Sequence, residues 1–305
     1  MSTELQTGAQ APLDLTTVSR EEWLAQRGLG SSDSSAICGL NPWRTPYQVW
    51  AEKVGITEPF AGNEATEIGL AMEPVISDLY AKRTGRNIRQ IGKMYQHKLH
   101  TFITATPDRE IDLGNLYGRL GELKNVGWRM VHEWEDNNTP DHAHIQVQHQ
   151  LMVCPFFDDA DVIALLGGRE LAIRHIEHDL KVQARLLEIL CEFQELVDTK
   201  TPPPLVAEDA DTIKKLYPES QPGIEIILPE EAEFLLEQRA KAEEALKVAK
   251  SQKDEAETKL KAILGNAERG KGKKFTVSWK TQNRAGYTVE PTTVRTLRIT
   301  TKKEK

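Results

Sequence analysis

Two short runs decide how this chain is read, Thr106-Pro107-Asp108 and, further on, Gly121-Glu122-Leu123-Lys124. In an extended strand Glu122 and Lys124 lie two residues apart, so both side chains leave the same face while Leu123 points the other way, into the core. Thr101-Phe102-Ile103-Thr104-Ala105 reads as a strand leading into the first run. A turn around Leu113-Gly114-Asn115-Leu116 reverses the chain into residues 117–126. A hairpin turning near 114 and 115 brings Asp108 within about one residue of the position opposite Glu122, so the two carboxylates become cross-strand neighbours. Like charges there repel, and the usual compensation is a hard divalent cation with oxygen ligands, Mg²⁺ by preference and Mn²⁺ as a substitute. The Lys124 ammonium can then orient an attacking water and stabilise charge developing on a scissile phosphate. The plainer reading of the same residues is an exposed charged strand face with cross-strand ion pairs.

Outward from this hairpin the pattern is mixed. Ser19 and Glu22 have capping-box spacing at the start of a short helix. Arg27-Gly28-Leu29-Gly30-Ser31-Ser32-Asp33 reads as a loop entering a helix, and Arg27, Ser31 and Ser32 are expected to form a phosphate pocket there, against a plain capping loop as the alternative. Helices are expected over 46–53 and 64–85, the latter with an apolar stripe of Ile68, Met72, Val75, Ile76, Leu79 and Tyr80 and a stop at Gly85. Glu73 lies beside that stripe and can add a carboxylate to the cluster. A helix over 142–153 carries Gln146 and Gln148, which can hold the water or a phosphate oxygen. Strands over 159–166 and 171–175 and a helix over 178–196 follow. The order predicts an α/β fold, a mixed sheet with helices on its faces.

Thr201-Pro202-Pro203-Pro204 cannot continue a helix. The expected division is a flexible N-terminus over 1–18, a main domain over 19–205 and a C-terminal helical and β-rich extension over 206–305. In the extension, Leu235, Ala242, Ala249, Ala256 and Ile263 recur every seven residues, with Leu246 and Leu260 in the companion register. That is a coiled-coil-like seam, weakened by Arg239 and Lys253. Strand character at Lys274-Phe275-Thr276-Val277-Ser278-Trp279-Lys280 and a basic end, Lys302-Lys303-Glu304-Lys305, complete it.

Composition narrows the classes. With 305 residues, 39% hydrophobic and 28% charged, the chain can bury a full core and has no run fit to span a bilayer. The amino end lacks a basic start followed by an apolar stretch, so a cytoplasmic location and no membrane association are expected. The three cysteines are far apart and without CxxC spacing, which argues against disulfide, zinc and iron–sulfur frameworks. The net charge of −7, from 46 acidic and 39 basic residues, does not favour a protein that coats nucleic acid, yet it leaves room for one lined channel.

The chain resembles the YqaJ-like viral recombinases, relatives of phage lambda exonuclease within the PD-(D/E)XK nuclease superfamily. The resemblance covers about residues 20–200 and rests on ordered blocks. These are Gly28-Leu29-Gly30-Ser31-Ser32-Asp33-Ser34-Ser35-Ala36-Ile37, Asn41-Pro42-Trp43-Arg44-Thr45-Pro46, Gly69-Leu70-Ala71-Met72-Glu73-Pro74, Thr106-Pro107-Asp108, Gly121-Glu122-Leu123-Lys124 and Gln146-Val147-Gln148-His149-Gln150. It implies a PD-(D/E)XK nuclease-like central mixed sheet and a Mg²⁺-dependent phosphodiesterase site. In that site Asp108, Glu122 and the Leu123 backbone carbonyl are metal ligands, Lys124 is the catalytic lysine, and Glu73 and Gln146 complete the shell. Arg27, Ser31, Ser32 and Gln148 are the expected contacts to DNA phosphates. It further implies a 5′ to 3′ exonuclease on double-stranded DNA ends that leaves 3′ overhangs for strand annealing, a homo-oligomeric ring, and a single-strand annealing protein as partner. A structure-specific or nicking endonuclease on the same site and a non-cleaving DNA-end-binding scaffold are the alternatives. The run Asn125-Val126-Gly127-Trp128 and the tail beyond Pro204 depart from the family pattern.

Overall fold

A computed structural model describes residues 11–114 and 118–282. The chain divides into two compact units, 1–217 and 218–305. The first opens with β1 (Leu13–Asp14), α1 (Arg20–Gln26), β2 (Leu29–Gly30), α2 (Ser31–Ile37), α3 (Pro46–Lys53) and α4 (Glu64–Thr84). It continues with β3 (Ile88–Gln90), β4 (Lys93–Gln96), β5 (Ile103–Ala105), β6 (Arg109–Ile111) and β7 (Arg119–Val126). A 3₁₀ segment (Trp128–Asn137), α5 (Asp141–Val153), β8 (Asp159–Leu166), β9 (Glu170–Glu177), α6 (Leu180–Asp198) and α7 (Ala210–Leu216) complete it.

Five strands form the main sheet in the order β3-β6-β7-β8-β9. Only β7 and β8 run parallel within it. A smaller sheet, β1-β4-β5-β2, packs alongside. The mixed sheet expected from the order of elements is therefore present, with helices on both faces. Period-two alternation sorts β7 and β8 between two apolar layers. Leu120, Ala160, Val162 and Ala164 join the larger core, which includes Ala36, Trp50, Val147, Leu151, Leu186 and Leu190. Leu123, Ile163 and Leu165 meet Ile76 and Tyr80 of α4 on the other face. The interior strand β8 is buried along almost its whole length because both its faces are covered.

The long helix α4 is fixed at both ends. The Asn63 side chain accepts from the Thr66 N–H at 3.0 Å, and Gly85 closes the helix in the left-handed region at φ 71°. Its apolar stripe is narrower than the spacing implies: Ile76 and Tyr80 are buried, whereas Ile68, Val75 and Leu79 are exposed. Near the loop before α2, a Cβ on Gly28 would lie 1.9 Å from the Phe102 carbonyl oxygen, so only glycine permits that close approach.

The division of the chain differs from the sequence expectation at both ends. Leu13 and Asp14 pair with Met94 and Lys93, and the Leu15 N–H donates to the Gly92 carbonyl, so this part of the start is a sheet edge and not a free tail. The first unit also runs past the proline break to Tyr217. Asp209 is buried, takes hydrogen bonds from the Thr45 hydroxyl and the Val206 N–H, and anchors α7 against α3. A tripeptide of prolines ends a helix, but it cannot report whether the following segment packs back.

In the second unit, α8 (Glu230–Leu264) matches the heptad segment, and β10 (Arg269–Lys271) pairs antiparallel with β11 (Thr276–Ser278). No residue of α8 is buried. The expected turn residues 115–117 and the basic end 302–305 lie outside the described residues. No helix among the described residues is long and apolar enough to cross a membrane.

Candidate active site

The β6–β7 register pairs Arg109 with Gly121, which sets Asp108 and Glu122 one step beyond the last pair. The Leu123 N–H donates to Asp108 Oδ2 at 3.0 Å. Because the N–H and C=O of one extended residue point to the same strand edge, the Leu123 carbonyl faces the Asp108 side as well. Glu122 and Lys124 leave the opposite face from Leu123, and that face meets α5. Glu122, only 2% exposed, accepts from Lys124 Nζ at 2.8 Å and from Gln146 Nε2 at 2.7 Å through one carboxylate oxygen. Its other oxygen accepts from Gln150 Nε2 at 2.8 Å. Lys124 Nζ also donates to Gln146 Oε1 at 2.7 Å, so the three side chains close a triangle.

Asp108 carries the electrostatic signature of the site. Burial and then the Glu122 carboxylate push its carboxyl well above the usual range, outweighing the Leu123 N–H and the Lys124 ammonium. An acid whose charge is disfavoured in this way, next to a second carboxylate and a backbone carbonyl, forms an all-oxygen donor set suited to a hard divalent cation, which would relieve the repulsion. Asp108, Glu122 and the Leu123 carbonyl thus fit the metal role expected of them. Among the described residues no three His, Cys, Asp or Glu side chains converge as a metal cluster, so the remaining coordination would fall to water and substrate.

Glu73 reaches the same cleft, of about 250 Å³, which Asp108, Glu122, Leu123 and Asn125 also line. Its carboxylate is held by Arg109 Nη2 at 3.0 Å, and Arg109 is itself fixed by Ser77 and the Asp108 carbonyl. A second cleft of about 210 Å³ lies on the other side of Lys124 and Gln146 and includes Ser32, Asn41, Trp43 and His142. The loop expected to hold phosphate therefore faces the Lys124 site. Arg27 donates to the Ser32 hydroxyl at 2.8 Å, and Ser32 is exposed, whereas Ser31 is buried at the start of α2.

Gln148 is not where the sequence reading puts it. It is fully buried, donates to the Glu177 carbonyl, and accepts from the Asp179 N–H and Gln183 Nε2, so it ties α5 to the β9–α6 junction. Two residues along a helix is a turn of about 200°, which sends Gln148 away from Gln146. Helical spacing instead selects Gln150, four residues from Gln146, which the reading passed over. It also passed over Asp33. Burial opposes the charge of Asp33, yet Arg27, Lys53, Arg44 and the Gly30 N–H hold its carboxyl well below the usual range. Arg44 donates to it at 2.7 Å, and Lys53 lies 3.4 Å away. A lone Asp in a Gly- and Ser-rich run gives no sign that Arg44 and Lys53, from beyond the run, join Arg27 around it.

A hairpin that pairs two carboxylates, braced by a lysine and two glutamines on a mixed sheet, has the donor chemistry to hold a hard divalent cation. The YqaJ-like viral recombinase domain matches residues 22–156, a stretch that contains every site residue named above. The uncharacterized protein YqaJ of Bacillus subtilis (strain 168) is 30% identical over 270 residues, which span 86% of this chain and 84% of that protein. The chain belongs to the YqaJ-like viral recombinase family. Among solved structures, the alkaline exonuclease LHK-Exo of Laribacter hongkongensis aligns with a TM-score of 0.49 at 18% identity, over 64% of this chain and 97% of its own. A phage-related exonuclease of Haemophilus somnus 129PT aligns with a TM-score of 0.47 at 15% identity, over 59% and 97%.

Proposed function

We propose that this protein is a Mg²⁺-dependent deoxyribonuclease that degrades double-stranded DNA from its ends. The observation that carries the reading is the pairing of half-buried Asp108 with buried Glu122, with the Lys124 ammonium locked beside Glu122. Asp108, Glu122 and the Leu123 carbonyl would hold the cation, which when bound polarises a phosphoryl oxygen and acidifies water. Lys124, fixed between Glu122 and Gln146, presents its remaining proton to the attacking water or to the phosphate oxygen that gains charge. Gln146 and Gln150 hold the two Glu122 oxygens, so the carboxylate plane cannot swing. Arg109 neutralises Glu73 at the edge of the cleft and limits the negative charge a phosphate meets there. Arg27 and Ser32 supply donors for a flanking phosphate.

The exonucleolytic part of the reading, 5′ to 3′ polarity with 3′ overhangs passed to an annealing protein, follows from the family resemblance, as does assembly into a homo-oligomeric ring. The reading places this work in the cytoplasm. Linear duplex, closed circular duplex and single-stranded DNA incubated with Mg²⁺ and with EDTA test it. Loss of linear duplex alone, only with Mg²⁺, is the expected result. Cutting of circles makes it an endonuclease, and no loss at all makes it a scaffold.

A further inference from the structure

Trp43 is an aromatic residue that the chain holds out into solvent. It is 64% exposed, although the loop carrying it is fastened on either side. The Trp43 N–H donates to Asn41 Oδ1 at 2.8 Å, and Asn41 Nδ2 donates to the Ser35 hydroxyl at 3.1 Å. Next to it, Arg44 is clamped between Asp33 and Glu52. The indole meets the His142 ring edge to face, with centroids 5.0 Å apart. His142 stands four residues before Gln146 on α5, about 6 Å along the helix axis. One face of α5 therefore presents His142, Gln146 and Gln150 in succession, which places the indole one helical turn from the Lys124–Glu122 pair. Trp43 lines the cleft that contains Ser32, Lys124 and Gln146, and also borders a larger cleft of about 690 Å³ with Arg44 and Phe60.

We propose that Trp43 is a stacking platform for a nucleobase of the strand being cut, the base adjoining the scissile phosphate; this rests on the nuclease reading above. A protein surface would also cover an exposed indole. Here, however, the ring stands at the rim of a cleft that also holds the Ser32 hydroxyl, the Asn41 and Gln146 amides and the Lys124 ammonium, donors that take phosphate oxygens, beside Val126, Met130, Trp134 and the Glu133 carboxylate. Every base has a π-face, so stacking secures the end of the strand without asking for a sequence. The fastened loop means that the ring is already in position and little ordering is lost when a base arrives.

The test combines a variant with a substrate lesion. The full chain, Trp43→Ala and Trp43→Phe are compared on linear duplexes that are intact or abasic at the terminal nucleotide of the digested strand. Digestion is followed in Mg²⁺, and end binding by fluorescence anisotropy in Ca²⁺. Loss of one stack is expected to cost about tenfold in end affinity. Trp43→Ala should show that loss on the intact end, Trp43→Phe should retain most of the affinity, and the abasic end should weaken the parent but not Trp43→Ala. Equal binding by Trp43→Ala and parent on the intact end overturns the proposal. So does a Trp43→Ala defect of the same size on both ends, which would point to a structural loop or a protein contact. A parent that neither binds nor digests ends overturns the nuclease reading and the platform together, whereas a parent that digests normally with an inert Trp43 overturns the platform alone.

Discussion

Replacing Lys124 with alanine separates what the site does from what holds it together. The side chain donates to Glu122 at 2.8 Å and to Gln146 at 2.7 Å and is about a quarter exposed. Its removal takes one charge-assisted hydrogen bond, about 1.5–3 kcal/mol, from a buried carboxylate that keeps both glutamine amides. For a unit of this size that corresponds to a melting temperature lower by roughly 4–8 °C at the midpoint of about 2 kcal/mol. The catalytic loss is larger. A preorganised donor aimed at developing charge is worth about 2.7–4 kcal/mol, so the rate should fall by about 10²–10³. End binding should change little, because Arg27 and Ser32 lie on a different element. Single-turnover digestion of linear duplex, anisotropy on the same duplex and thermal melts supply the three readings. A Lys124→Ala protein that digests within threefold of the parent would refute the assignment, and so would a rate that falls only in proportion to lost binding.

Four other outcomes follow from the same geometry. Asp108 has a raised folded pKa, so its contribution favours stability at low pH and is lost as pH rises through that pKa. In EDTA, Asp108→Asn should therefore melt higher than the parent by an amount that grows from pH 5 to pH 9, while losing cleavage and any Mg²⁺-induced rise in melting temperature; a gap that shrinks with pH would contradict the cited repulsion. Gln150→Ala should cost about 10–100-fold in rate, as for a residue that orients a ligand, with a modest change in melting. Gln148→Ala should leave the rate of folded protein intact but cost about 1–3 kcal/mol in denaturant titrations, since it removes hydrogen bonds to the Glu177 carbonyl, the Asp179 N–H and Gln183 from a fully buried side chain. A chain of residues 1–217 should digest DNA like the full chain, whereas one of residues 1–205 should melt lower because Thr45 loses Asp209, and equal melting of the two would show that α7 adds nothing.

The hairpin chemistry was legible because strand periodicity is strict. Fixing a turn near 114 also fixed which residues of β6 and β7 meet, and Asp108, Glu122 and Lys124 came out together. Gln146 was legible from its helix, but Gln148 on the same helix turns about 200° away from it, and the 3.6-residue period selects Gln150 instead. Glu73 lines the Asp108 cleft, yet nothing in its neighbourhood announced that Arg109, at the start of β6, would neutralise it. Asp33 and Asp209 share another difficulty. Each is buried in part by partners from other elements, Arg44 and Lys53 for Asp33 and Thr45 for Asp209, and a single acidic letter in a polar run carries no record of them. The prolines at 202–204 mark a helix end faithfully, but the packing of 207–216 depends on Thr45 and Gln48, more than 160 positions earlier.

The parallel pairing of β7 with β8 sets the order in which the active centre can mature. Asp108 and Glu122 sit on a local hairpin that can zip early, whereas the glutamines of α5 arrive only when the long crossover swings back to lay β8 against β7. Until then a nascent chain carries an acidic pair without its brace. On the nuclease reading, the site is therefore expected to gain its glutamine brace only once β8 has docked on β7.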